Sequence, residues 1–251
     1  MPALDATASI PRGLRVYAIG DIHGRLDLLK MLLDMITEHE AARPSTCPVL
    51  IFMGDYIDRG PDSRGVIDLL VHGLPQRFEQ VFLRGNHEDM MLRIFNHPEH
   101  FDVWAMNGGL ATARSYGVEF DVEDYGATDV RYIISRLDVA LPRSHREFLE
   151  KLRISVELGD YFFVHAGVRP GVPLGRQAES DCLFIRDEFL AFRGNFGKVI
   201  VHGHTPVSAP EILPNRINID TGAVFTGHLT ALCLEGPSQR ILSTGGHDNS
   251  R

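Results

Sequence analysis

Apolar positions along this chain switch between two periods, and the switches mark the elements. Leu14 to Ile19 forms a short β run that stops at Gly20. Leu26, Leu29, Leu32, Leu33 and Ile36 then recur at helical spacing within residues 25–39. Val49 to Met53 is continuously apolar, as a strand buried on both faces would be. Residues 64–72 read as helix on Val66, Ile67, Leu69 and Leu70, and Val81 to Leu83 reads as a third strand closed by Gly85. This β-α-β-α-β order predicts parallel strands joined by crossover helices. Residues 88–152 are expected to be a mostly helical insertion, interrupted at Gly108 and Gly109. Strands return at 154–158 and 161–164, a hairpin turning at Gly159-Asp160, and again at 198–201, 216–219, 229–234 and 240–242. The expected fold is α/β: two mixed β-sheets packed as a sandwich and flanked by helices. A loose N-terminal arm over 1–12 and a single domain over 13–245 are expected.

Composition narrows the function. Of 251 residues, 25 are Lys or Arg and 33 are Asp or Glu, a formal charge of −8. Non-specific nucleic-acid binding depends on cations neutralising phosphates, so this balance argues against it. Three scattered cysteines, Cys47, Cys182 and Cys233, fit no disulfide framework and suit a reducing compartment. The chain has no apolar run near membrane-spanning length and no apolar signal segment at its N-terminus, which points to the cytoplasm and away from membranes. Cysteine-nucleophile phosphatase chemistry is disfavoured, since Met53, Glu188 and Gln239 stand where Cys-x5-Arg would need arginine.

Five polar segments each follow a predicted strand: Gly20-Asp21-Ile22-His23-Gly24, Gly54-Asp55-Tyr56-Ile57-Asp58-Arg59-Gly60, Gly85-Asn86-His87-Glu88, Val164-His165-Ala166-Gly167 and Val201-His202-Gly203-His204-Thr205. Sites of open α/β sheets lie beyond the carboxyl ends of strands, so five such tips can converge. Carboxylate, imidazole and amide oxygen suit hard to borderline divalent metals, and the lack of cysteine argues against structural zinc. Paired metals about 3.5–4 Å apart need a bridging group. Asp21, His23 and Asp55 are therefore expected on one metal, and Asp55, Asn86, His165 and His204 on the other, with Asp55 shared. Taken singly each segment has a bland reading as a turn, a helix cap or a packed histidine. Their number and order favour the metal reading.

The GDIHG, GDYIDRG and LRGNHE segments resemble the signature of the phosphoprotein phosphatases within the calcineurin-like metallophosphoesterases. VHAG and VHGHT resemble later ligand motifs of the bacterial branch, which is related to the diadenosine tetraphosphatases. This resemblance runs over residues 15–225 and includes Trp104–Gly109 and Ser115–Gly117. It implies His87 as general acid, Asp58 as its carboxylate partner, and Arg59, Arg186 and Arg169 as phosphate-binding residues. The C-terminal region lacks the eukaryotic Ser-Ala-Pro-Asn-Tyr-Cys segment.

The expected activity is hydrolysis of phosphoserine and phosphothreonine monoesters with two divalent ions, manganese first, iron or zinc as alternatives. The substrate would be a phosphoprotein or a phosphorylated nucleotide. The second reading is hydrolysis of dinucleoside polyphosphates or nucleotide-capped RNA ends. A metal-binding interaction module without catalysis is the third, disfavoured because no ligand and no acid is missing. Glu88 is expected to be structural. His202 is read either as packing or as a support behind His204. Trp104 and Asn107 are read as either an active-site cap or core.

Overall fold

The computed structural model describes residues 8–120 and 130–245. The strands among them are β1 (Leu14–Ile19), β2 (Cys47–Phe52), β3 (Glu79–Phe82), β4 (Ser155–Leu158), β5 (Tyr161–Val164), β6 (Val199–His202), β7 (Glu211–Ile212), β8 (Arg216–Asn218), β9 (Thr230–Glu235) and β10 (Ser238–Ser243). They form two five-stranded sheets, ordered β10-β9-β1-β2-β3 and β4-β5-β6-β8-β7. Strands β1, β2 and β3 run parallel, as do β5, β6 and β8, while β9 and β4 pair antiparallel at their neighbours. Both sheets are thus mixed, and they pack as the expected sandwich. The two-residue β7 carries too few positions for a periodicity to announce it.

Strand alternation distributes the core. Val16, Ala18, Val49 and Ile51 face Tyr161, Phe163, Val201 and Ile217 between the sheets. The alternate residues Tyr17, Ile19, Leu50 and Phe52 face the helical layer. Phe162, Val164 and Ile200 pack outward against Cys182 and Phe189. Burial on both faces is why these strands read as unbroken apolar runs.

The helices are α1 (Leu26–Ala42), α2 (Ser63–Asp68), α3 (Asn86–Ile94), α4 (Phe101–Trp104), α5 (Leu110–Ser115), α6 (Val130–Ala140), α7 (Arg143–Glu150), α8 (Glu179–Phe184), α9 (Asp187–Ala191) and α10 (Ala223–Thr226). Leucines at helical spacing bury one side of α1, and the helix stops at Arg43 because Pro44 disfavours helical backbone in the residue before it. α2 opens with Asp62 accepting from Gly65 N. It continues as a wider helical turn over Leu69–Gly73, so the helical stretch covers the expected 64–72. The helical stretch α3–α7 lies between β3 and β4.

Residues 1–7 of the expected arm lie outside the described residues. Residues 8–12 are not loose: Ile10 is buried, Ile10 N donates to Gly236 O, and Ser9 N donates to Asp160 Oδ2. Among the described residues, no helix is long and apolar enough to cross a membrane.

Candidate active site

The carboxyl ends of β2 and β5, one from each sheet, meet where His165 Nδ1 donates to Met53 O at 2.9 Å. Around that seam the five polar segments interlock. Ile22 N and His23 N both donate to Asp55 O. His204 N donates to Asp21 Oδ2 at 3.0 Å. Glu88, fully buried, accepts from the backbone N–H groups of Asp55, Tyr56 and Gly85 and so ties the second segment to the third. Close approach demands the glycines: a Cβ at Gly85 would collide with the Asp55 carboxylate, and one at Gly203 with that of Asp21.

Backbone strain concentrates in the same place. The positive-φ non-glycine residues among the described residues are His23, Asp55, Asp58, Arg59 and His204, and all belong to these segments. Such conformations persist only where surrounding contacts over-determine them, and they cluster at functional sites.

Asp55 sits at the middle. His23 Nε2 lies 3.5 Å from Asp55 Oδ2, while His165 Nε2 lies 3.4 Å from Asp55 Oδ1. The two carboxylate oxygens therefore face two different donor groups: His23 and His87 on one side, His165 and His204 on the other. Burial alone would raise the Asp55 carboxyl, but His165, His87, His23 and His204 hold it far below the usual carboxylate range. Burial pushes the imidazoles the other way, His23 down to about 3 and His204 down to about 2, with His165 also lowered. Neutral imidazoles beside an ionised carboxylate are the protonation states that ligation requires.

The arrangement of protons gives an independent test of fit. His23 Nδ1 donates to Ile57 O at 2.9 Å, as His165 Nδ1 does to Met53 O. Those carbonyls place each proton on Nδ1 and turn the Nε2 lone pair inward. His165 Nε2 then faces Asn86 Oδ1 at 2.9 Å as well as Asp55 Oδ1. Three lone-pair donors converge with no proton among them, and buried Asp21 Oδ1 has no hydrogen-bond partner at all. A divalent cation supplies what this set of oxygens and nitrogens lacks. Asn86 Oδ1 is also 2.8 Å from His204 Nδ1, which places all four expected donors of the second group together. Asp21 does not join the three-residue group of His23, Asp55 and His87; it borders the centre through His204 and the neighbouring Asp220.

His87 differs from the other three histidines. Its Nδ1 donates to a carboxylate, Asp58 Oδ2, at 2.7 Å. Burial would lower its pKa, but Asp55 and Asp58 outweigh burial and raise it. Asp58 is clamped in turn: Thr112 Oγ1 donates to Asp58 Oδ1 at 2.6 Å, and Asp58 N donates to Thr112 Oγ1 and Ser63 Oγ. Thr112, on α5, and Ser63, opening α2, were missed from the sequence. Ser/Thr hydroxyls are too common for a pattern to single them out.

Two of the three expected arginines reach the centre. Arg59 places Nη1 2.8 Å from His23 Nε2 and Nη2 3.0 Å from His87 Nε2, and Arg186 Nε donates to His204 Nε2 at 3.0 Å. Arg169 is not brought in. Its guanidinium forks onto Asp181 at 2.8 and 2.6 Å and reaches Glu188 at 2.7 Å, because α8 and α9 carry those carboxylates close by. His202 is buried edge-on against Phe189 with Arg216 beside it. Trp104 is core, packed on Phe101, and half-buried Asn107 caps its own turn by donating to Val103 O.

Residues 14–229 match the family model described as calcineurin-like phosphoesterase. A bis(5'-nucleosyl)-tetraphosphatase PrpE [asymmetrical] of Anoxybacillus flavithermus is 30% identical, over 85% of this chain and 88% of that protein. A protein of the same name from Geobacillus sp. is 29% identical over 87% of this chain and 89% of its own length. Among solved structures, one provisionally named a diadenosine tetraphosphatase superposes with a TM-score of 0.60 at 23% identity, covering 96% of this chain and 94% of that one. A cold-active protein-tyrosine phosphatase of a psychrophilic Shewanella sp. gives 0.58 at 16%, covering 96% and 83%. With the match spanning most of its length, this chain belongs to the calcineurin-like phosphoesterase family.

Proposed function

We propose that this chain is a two-metal hydrolase of dinucleoside polyphosphates, cutting the phosphoanhydride chain between two nucleosides. Two relatives covering most of the chain carry that substrate class in their names, which shifts the balance from phosphoprotein to nucleotide. The observation that carries the chemistry is Asp55, with its two oxygens turned to two separate imidazole groups.

Asp21, His23 and Asp55 would hold one ion, and Asp55, Asn86, His165 and His204 the other. Manganese is the proposed metal; iron and zinc accept the same donors. A divalent pair supplies Lewis acidity and an activated water there. Arg59 and Arg186 flank the centre and clamp phosphate oxygens, taking up the charge that develops in the transition state. His87 presents Nε2 to the leaving oxygen and protonates it, while Asp58 keeps the ring oriented and charged. Strain at His23, Asp55 and His204 fixes the donors before substrate arrives.

The second reading, hydrolysis of phosphoserine or phosphothreonine, is favoured by the intact Gly54–Gly60 and Leu83–Glu88 segments. Parallel kcat/KM measurements with the manganese-loaded protein on diadenosine tetraphosphate, a phosphothreonine peptide and an aryl phosphate separate the two. Diadenosine tetraphosphate is expected to lead, with a triphosphate and a monophosphate as products of an asymmetrical cut. A higher kcat/KM on the peptide would overturn the proposal.

A further inference from the structure

Phe225 is 71% exposed, whereas Phe52, Phe101, Phe163 and Phe189 are buried. Its exposure does not come from a slack loop. It sits on the single turn α10, whose flanks Gly222 and Gly227 both adopt left-handed backbone. Gly222 N donates to Asp220 Oδ1 at 2.9 Å, Thr226 Oγ1 donates to Thr221 O at 2.8 Å, and Arg25 Nη1 donates to Ala223 O at 3.0 Å. Ala223, two residues before Phe225, is buried in the helical-side core. The turn is therefore anchored from both ends and from below, and it holds an aromatic ring out into solvent.

The ring also has a defined neighbour. It lies 5.9 Å from the Arg59 guanidinium carbon, within cation–π range. Arg59 in turn reaches His23 and His87, so the ring stands one guanidinium away from the centre. A phosphate clamped by Arg59 would carry its 5′-linked nucleoside outward past this ring. Every nucleobase has a flat π-face, and stacking on an exposed aromatic ring is indifferent to which base supplies it.

Resting on the proposed function, we infer that Phe225 is the stacking platform for a nucleobase of the substrate and sets the preference for nucleoside-capped over bare polyphosphate. The ring reads aromaticity rather than hydrogen-bonding edges. Diadenosine and diguanosine tetraphosphates should therefore be used with similar kcat/KM.

The test uses the full manganese-loaded chain and its Phe225→Ala, Phe225→Leu and Phe225→Trp variants. The substrates are diadenosine tetraphosphate, diguanosine tetraphosphate and inorganic tetraphosphate. For Phe225→Ala, KM for both dinucleotides should rise about tenfold. The ratio of kcat/KM on dinucleotide to that on inorganic tetraphosphate should fall by the same factor. Phe225→Trp should restore the ratio and Phe225→Leu should not, since leucine keeps bulk but has no π-face. Unchanged KM in Phe225→Ala would overturn the platform alone, as would an equal loss on inorganic tetraphosphate, which would mark an effect through Arg59. No wild-type turnover of either dinucleotide would overturn the proposed function, and the platform with it.

Discussion

Strand β1 has a buried charge cluster at each end, and the two are built on opposite principles. At its start, Arg15 donates to Glu40 Oε2 at 2.7 Å and to Glu235 Oε2 at 3.0 Å. Arg77 and Ser45 complete the bonding of Glu40. Cations face carboxylates, and none of the residues named has positive φ. Just past its end, Asp21 and Asp55 lie among imidazoles, Asp21 Oδ1 is unpaired, and Arg59 and Arg186 address ring nitrogens rather than carboxylates. The first cluster is closed and stabilises the fold. The second holds strain and unmet electrostatic demand, the arrangement expected where ligands must still arrive.

The largest test of that contrast is Asp55→Asn. It should lower kcat by about 10⁴-fold or more, some 5 kcal/mol, with loss of bound metal by elemental analysis. Full activity with two metals bound would end the bridging assignment. Arg15→Met should do the reverse: lower unfolding free energy by about 3–5 kcal/mol in denaturant titration, with kcat per folded molecule unchanged. His87→Asn should keep both metals and lose about 10²-fold in kcat on the alkyl ester of a phosphothreonine peptide, and less on an aryl phosphate, whose leaving group needs no proton. Equal losses on both substrate types would remove His87 as the acid. Thr112→Val should cost about tenfold in kcat through the lost bond to Asp58, with Thr112→Ser restoring rate and pH profile. If serine fails to rescue, α5 acts through packing instead.

The smallest effect is in acid. Burial alone would raise Glu40, but Ser45, Arg77 and Arg15 hold it below the usual carboxylate value. A depressed folded pKa contributes stability that is present above the unfolded value, 4.5 for this group, and is lost as pH falls through the folded one. Urea titrations should show wild type losing more stability than Glu40→Gln on going from neutral pH to below 4.5. Parallel curves would mean that Glu40 is not ionised in the fold.

Much of this was legible in the chain. Alternation and apolar runs located β1, β2, β5, β6 and β9 because strands buried on both faces have no polar positions to confuse the pattern. The short β7 and the single turn α10 had no such signal. The five polar segments stood out by their number and order at successive strand ends, since each alone would read as a turn, a helix cap or a packed histidine. Arg169 shows the limit. Its place after Val164–Gly167 resembled that of a phosphate ligand, yet the position of Asp181 and Glu188 in space decided where its charge went.

The chain by itself determined where the main strands lie along it, the polar tips and the types of donor, since periodicity and residue chemistry are local properties. Only tertiary structure decided that Arg169 turns to Asp181 and Glu188, that Thr112 clamps Asp58 across the fold, and that Phe225 stands outside the core beside Arg59. Each of these depends on the distance between residues far apart in the chain, and distance is set by how the two sheets and the helical layer pack.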